Sequence, residues 1–243
     1  MPRFFAETDM EDPQYTVTGE DAKHLVKALR VKVGEHLVFS TPSHYDVETE
    51  VVNVERNAVT VQILGRKKNE TETKVQFHLY ACLSKGEKFE QVIRQTTELG
   101  IWEITPVLSK FCVSRPDERS MEKKLERYQK IAREAAGQSG RGQIPIVHDL
   151  LSFDEALASS AEENDCTLFY YEDSEASIRD MKLPEDPQKL GFFIGSEGGF
   201  SREEAQAAAI MGFPMITLGK RILRTETAPV AALAVLDFYF GEM

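Results

Sequence analysis

Ile194-Gly195-Ser196-Glu197-Gly198-Gly199-Phe200-Ser201 and Leu218-Gly219-Lys220-Arg221-Ile222-Leu223-Arg224-Thr225-Glu226-Thr227-Ala228 decide how this chain folds. Each run follows a short apolar stretch and leads into a predicted helix. An α/β protein presents its ligand loops in this way, at the carboxyl ends of its strands. Two such loops so close in sequence predict one pocket built from both.

The flanking sequence carries the same pattern. Val75 to Leu83 alternates as a strand, and Lys88 to Leu99 reads as a helix with Phe89, Val92, Ile93, Thr96 and Leu99 on one face. Gly100 is placed to close that helix. Ile104 to Leu108 reads as a strand. Ser120 to Ala136 reads as a helix, with Met121, Leu125, Tyr128, Ile131, Ala132 and Ala135 at helical spacing. Further strands are predicted at Thr167 to Tyr171, Leu190 to Ile194 and Met215 to Leu218. Ser201 and Glu204 have the spacing of a capping box for a helix to Met211, which Gly212 ends. Pro229 suits the first turn of a last helix reaching Phe240. Strands alternating with helices predict a mainly parallel sheet.

Residues up to about 68 differ. Leu37 to Phe39, Tyr45 to Val52 and Ala58 to Leu64 are β-branched and partly alternating, with turn residues between them. One short helix near Asp21 to Leu29 places Leu25, Val26 and Leu29 on a common face. A small β-barrel-like domain follows from this pattern. The polar run Gly65 to Lys74 reads as a linker.

Composition sets the outer bounds. At 42% hydrophobic and 28% charged, the 243 residues suit one large or two modest globular domains. No apolar run approaches the length of a membrane span. Glu7, Asp9, Glu11 and Asp12 interrupt the start where a signal peptide would be apolar, so a cytoplasmic location is expected. Cys82, Cys112 and Cys166 show no CxxC spacing, which argues against disulfides and a cysteine zinc site; no metal is expected. The net charge of −11 disfavours nucleic acid for the chain as a whole, but it is unevenly spread. Lys110 to Pro145 has nine basic and five acidic residues, whereas Asp149 to Pro187 has twelve acidic and two basic. A basic surface is therefore compatible with the overall acidity.

The glycine turn is neither a dinucleotide fingerprint nor a P-loop, because the GxGxxG spacing and the Gly-Lys-Ser/Thr ending are both absent. Its three glycines allow close backbone approach or positive φ. Glu197 disfavours phosphate and suits a cationic or hydroxyl-rich ligand. In Leu218 to Ala228, apolar Ile222 and Leu223 stand among Lys220, Arg221, Arg224 and Glu226. That mixture fits a loop folded over a ligand, or equally a partly buried connection with its charges in solvent.

The pairing of GxEGGFS with LGxRILRTETA resembles the ribosomal RNA small-subunit methyltransferase E family of the SPOUT (knotted) methyltransferases. Leu83 to Phe89 is similar to the family's P-K-G-D-K stretch, Thr97 to Gly100 to its T-E-L-G, and Glu134 to Arg141 to its E-A-A-x-Q-S-G-R. Pro2 to Phe5 and His24 to Arg30 resemble its opening arginine and its H-x-x-V-L-R. Ser84 and Ser196 depart from the pattern, since each stands where the family usually has proline.

The resemblance implies two domains. Residues 1–68 would form an N-terminal PUA-like RNA-binding β-barrel, and residues 75–243 a C-terminal SPOUT α/β trefoil-knot domain. The knot is implied by the resemblance alone, because general connection rules exclude knots. The implied cofactor is S-adenosyl-L-methionine, and the implied partners are 16S rRNA in the 30S subunit and a second copy of the chain. The implied reaction is methylation at N3 of one uridine (U1498 in the family). Cofactor binding is expected at Ile194, Gly195, Glu197, Gly198, Leu218, Gly219, Ile222, Leu223 and Thr225. Arg224 is the expected stabiliser of the uracil anion, with Glu226 as base or cofactor contact. Glu226 would otherwise serve to pair with Arg221 or Arg224. RNA binding is expected at Arg3, Lys23, Lys27, Arg30 and Arg141. Three rivals remain at this stage: a SPOUT enzyme for another rRNA or tRNA nucleotide, a noncatalytic RNA-binding assembly factor, and an α/β enzyme for a small polar metabolite.

Overall fold

The computed structural model describes residues 3–242; Met1, Met243 and Pro2 of the opening motif lie outside the described residues. The chain divides into two compact units. One comprises Met1–Glu72 and Ala136–Ile144, the other Thr73–Ala135 and Pro145–Met243.

The first unit is a five-stranded sheet in the order β1-β3-β4-β5-β2. Its strands are β1 (Arg3–Phe5), β2 (Gln14–Val17), β3 (His36–Ser40), β4 (Tyr45–Val54) and β5 (Val59–Lys68). β1 runs parallel to β3, and the other pairs are antiparallel. Alternation places Val47, Thr49 and Val51 of β4 inward, with Phe39, Val59 and Val61 from the neighbouring strands. Thr49 is buried without cost to its hydroxyl, which donates to Leu37 O at 3.1 Å. Two register shifts between β4 and β5 curl the sheet.

Two expectations change in this unit. Gly65 to Lys68, read as linker, is the end of β5. Its backbone pairs with Tyr45, Asp46, Val47 and Glu48, and charged side chains on this exposed end hide the strand pattern. The short helix is α1 (Gly19–Lys23), continuing as a π-helical turn (His24–Leu29). The wider turn keeps Leu25 buried but turns Leu29 outward. It ends at Arg30 in the left-handed region, φ 53°, with Val31 N–H donating to Leu25 O.

The second unit is a parallel sheet of seven strands. They are β6 (Gln76–Cys82), β7 (Glu103–Leu108), β8 (Ile146–Val147), β9 (Leu151–Ser152), β10 (Cys166–Tyr170), β11 (Lys189–Ile194) and β12 (Met215–Ile216). The order is β12-β10-β11-β6-β7-β8, with β9 also on β7, and every pair is parallel. The helices are α2 (Lys88–Glu98), α3 (Glu118–Ser139), α4 (Phe153–Glu163), α5 (Arg202–Ile210) and α6 (Ala228–Phe240). The last residues of α3 belong to the first unit. β6 and β11 are buried through their apolar residues, and Tyr80 stacks on Phe193 at 4.7 Å. The capping box of α5 forms as expected, with Glu204 N–H donating to Ser201 Oγ. The acidic stretch after Asp149 hides α4, which the sequence pattern did not indicate.

The strand order explains where a ligand belongs. From β6 the chain runs outward through β7 and β8, then crosses to lay down β10, β11 and β12 on the other side. The loops after β6 and β11 therefore diverge, opening a crevice at their carboxyl ends. No helix among the described residues is long and apolar enough to cross a membrane.

Candidate functional site

A cavity of about 540 Å³ opens in that crevice, a size typical of small-molecule sites. Gly195 to Gly199 forms one wall and Thr217 to Thr225 the other, with Lys88 from α2, Tyr170 at the end of β10, and Tyr171 and Glu172 just after that strand completing it. All nine residues expected to bind cofactor line this cavity, as does Arg224. Glu226 is not among the lining residues, but its carboxylate faces Lys88, which is.

The glycines are there because side chains would not fit. A Cβ at Gly195 would come within 3.0 Å of the Gly199 backbone, and one at Gly198 within 2.9 Å of Phe111 Cβ. Gly199 has φ 68°, and a Cβ on it would strike the Glu172 carboxylate at 2.3 Å. The turn closes by a 2.9 Å bond from Gly199 N–H to Ser196 O. The opposite loop is pinned at both ends. Gly219, at φ 107°, donates its N–H to Thr217 Oγ1, and Arg224 O accepts from Thr227 and Ala228 N–H as the chain enters α6. Thr225 Oγ1 donates to Gly195 O at 3.4 Å, tying the two loops together.

Charge is arranged around Lys88. Its ammonium lies 3.4 Å from Glu197 Oε1 and 3.8 Å from Glu226 Oε2. Glu197 also accepts from Lys85 N–H at 3.1 Å. Burial works against the Glu197 carboxylate, but these donors prevail and hold it below its ordinary range. Glu226 Oε1 is 3.9 Å from Arg224, whose side chain is 84% exposed at the rim. Glu226 Oε2 is buried and accepts no hydrogen bond among the described residues. The side chain of Ile222 is not folded inward; the residue is 90% exposed, so it covers nothing in the chain taken alone.

Several lining residues were missed by the sequence reading. Tyr170, Tyr171 and Glu172 carry no motif; their position at the carboxyl end of a parallel strand is their signal. Lys88 was read as the start of a helix, and only the fold brings it to the two carboxylates.

The RNA-binding expectations divide. Lys23, Lys27 and Arg30 are exposed, with Lys23 only loosely paired to Glu20 at 3.7 Å. Arg3 instead forms an ion pair with Asp46 and donates to Ser40 Oγ at 2.8 Å. Arg141 is 3% exposed and its guanidinium engages the Glu72 carboxylate. Neither guanidinium is presented to solvent as a free cation, because each neutralises a carboxylate in its own unit.

The donors and shape of the cavity fit S-adenosylmethionine. Glycine backbone permits close approach by a flat base and a ribose. Carboxylates of Glu172 and Glu197 suit a sulfonium and an ammonium. Ser196 Oγ and Tyr170 Oη, both buried on lining residues, have no hydrogen-bond partner among the described residues. Ser84, the other serine in place of a proline, is likewise buried with an unpaired hydroxyl.

Comparison with known proteins agrees with this fold. Residues 71–237 match the family of RNA methyltransferase domains, and residues 17–64 match the RNA methyltransferase PUA domain. The chain is 31% identical to the ribosomal RNA small subunit methyltransferase E of Bacillus subtilis, over 98% of this chain and 96% of that one. The enzyme of that name from Neisseria gonorrhoeae, solved bound to S-adenosyl methionine, superposes with a TM-score of 0.87 at 28% identity, covering 99% and 98% of the two chains. A Legionella pneumophila methyltransferase in complex with the same cofactor superposes with a TM-score of 0.89 at 30% identity, covering 98% and 97%. Fold and site together define an RNA methyltransferase. Within that class, the chain belongs to the ribosomal RNA small subunit methyltransferase E family.

Proposed function

We propose that this chain methylates N3 of a single uridine in 16S rRNA, the family's U1498, using S-adenosylmethionine. The observation that carries the reading is the cavity between Gly195–Gly199 and Leu218–Thr225, set in a chain similar to this family over its full length. When bound, the cofactor supplies an electrophilic methyl group on a sulfonium. Ile194, Gly195, Gly198, Leu218, Gly219, Ile222 and Leu223 hold its adenosine end largely through backbone groups, with Thr225 fixing the loop and Glu197 facing positive charge.

Uridine N3 carries a proton and is a poor nucleophile until that proton leaves. Arg224, at the cavity rim, stabilises the resulting anion with a permanently charged fork of donors. Glu226 Oε2, buried and without a hydrogen bond, receives the N3 proton, while Oε1 steadies Arg224. Positioning and electrostatics provide the rate. Lys23, Lys27 and Arg30 form the RNA-facing surface of the first unit, and the uridine is extruded from its stack to reach the cavity.

Three structural readings accompany this one. The two loops of the second unit form a trefoil knot. The chain acts as a cytoplasmic homodimer, and the outer face of α6 supports pairing: Phe238 is 78% exposed and Val235 and Tyr239 are partly so. The first unit serves as the RNA-gripping domain. Labelled cofactor and 30S subunits lacking the modification provide the test, with mass mapping of the product. Label at N3 of one 16S uridine bears the proposal out; label on another nucleotide, or cofactor binding without transfer, overturns it.

A further inference from the structure

At the opposite ends of the strands, the second unit gathers residues that the methyl-transfer reading does not use. His78 lies near the start of β6, Glu103 opens β7, and His148 follows β8. Glu163 ends α4 and Lys189 opens β11. His78 Nδ1, Glu103 and His148 each offer a ligand atom, and these atoms all lie within 4.8 Å of one another. His148 Nε2 is 2.7 Å from Glu103 Oε2. His78 Nδ1 is 3.8 Å from Glu103 Oε2 and 3.9 Å from Glu163 Oε2.

His78 is the anomaly. It is 1% exposed, and its Nε2 is 2.8 Å from Thr105 Oγ1. Its Nδ1 has no hydrogen-bond partner among the described residues. With Nε2–H donating to Thr105, the Nδ1 lone pair faces two carboxylate oxygens, which are acceptors only. Nothing in that arrangement satisfies the nitrogen, and a buried orphan is costly. A cation placed between the nitrogen and the carboxylates gives Nδ1 the partner it lacks. Lys189 does not fill this position: its ammonium sits 2.8 Å from Glu103 Oε1, the other oxygen, and 3.7 Å from Glu163 Oε2.

We infer that His78 Nδ1, Glu103 Oε2 and His148 Nε2, with Glu163 as fourth donor, form a binding site for a divalent metal ion of the zinc type. Two imidazoles and one or two carboxylates are a donor set zinc accepts. Tetrahedral coordination separates ligand atoms by roughly 3.3 Å, so the observed spacings need shifts of about 1 Å. The Thr105 contact on His78 fixes the ring, as outer hydrogen bonds do for metal-bound histidines. Zinc would displace the proton that His148 Nε2 now shares with Glu103 Oε2. His148 and Glu163 are partly exposed and provide the entry path. The site joins three strands and a helix, so its role is to brace the sheet.

The test uses the full chain, stripped with chelator and titrated with Zn²⁺ in equilibrium dialysis. One zinc ion per chain is expected. Glu103→Gln and His148→Ala should each weaken binding tenfold or more, whereas His36→Ala, on the exposed start of β3, should leave it unchanged. Zn²⁺ should raise the thermal midpoint of the unaltered chain and not that of the variants. Co²⁺ in place of zinc should show no thiolate charge-transfer band, which separates this site from Cys82, Cys112 and Cys166. Absence of binding, binding insensitive to both substitutions, or a thiolate band would each overturn the assignment.

Discussion

Removing the Glu72 carboxylate tests whether Arg141 is a structural cation or an RNA contact. Arg141 is 3% exposed, and Glu72 meets it in a forked arrangement: Nε lies 3.3 and 3.2 Å from the two carboxylate oxygens, with the Nη2 contact to Oε2 in addition. Glu72 Oε1 also accepts from Gly142 N–H at 2.8 Å. Glu72→Ala therefore takes a paired carboxylate away from a buried guanidinium and the acceptor away from Gly142 N–H. Breaking a buried pair from one side costs about 3 to 5 kcal/mol. At about 2 to 4 °C per kcal/mol for a chain of this size, the melting midpoint should fall by roughly 6 to 20 °C. Arg141→Met should cost a similar amount, and the double variant less than the sum of the singles, as coupled partners do. The assay is thermal and denaturant unfolding of the four proteins, beside RNA binding over a range of salt at a temperature where all are folded. Arg141→Met should leave the salt dependence unchanged, while Lys27→Ala with Arg30→Ala should flatten it. If Arg141→Met instead flattens the salt dependence with an unchanged midpoint, the structural reading of this residue is refuted.

Arg224→Ala should lower turnover by on the order of 10²-fold or more while changing cofactor affinity little, as for loss of one oxyanion donor; calorimetry with the cofactor and single-turnover methylation separate the two. Gly199→Ala combines a strained φ of 68° with a Cβ 2.3 Å from the Glu172 carboxylate, and should weaken cofactor binding about tenfold or more. An unchanged dissociation constant would show that the turn does not cradle the ligand. Glu197 is held below its ordinary value of 4.5, so its ionised form binds its partners more strongly when folded. Its contribution is full above about pH 4.5 and is lost as pH falls through the lower folded value. Glu197→Gln should therefore lower stability near neutrality and make little difference in strong acid, which denaturant midpoints across that range will show.

Elements whose chemistry is local were readable from the amino-acid order alone. Gly100 and Gly212 close α2 and α5 with φ of 93° and 80°, and Ser201 caps α5 through Glu204. The apolar runs of β6, β10 and β11 were legible because both faces of a parallel strand are buried. The two loops that form the cavity stood out too, through glycines that permit close approach and an apolar pair set among charges, although a tight turn and a partly buried connection fitted those residues as well. Where the pattern was masked, local reading failed. Charged residues concealed the end of β5, an acidic stretch concealed α4, and a π-turn rotated Leu29 out of the face assigned to it.

Which charges are available depends on how the chain is folded. Arg141 and Arg3 look in sequence like cations for RNA, but Glu72 and Asp46 lie 69 and 43 residues away along the chain and neutralise them in space. Lys88 becomes the hub of the candidate site because α2 starts beside the crevice after β6. His78, Glu103, His148 and Glu163 have no motif spacing at all; strand register and helix packing bring them together. Pairing of this kind depends on separation in space, and electrostatics and hydrogen bonding act over a few ångströms whatever the distance along the chain.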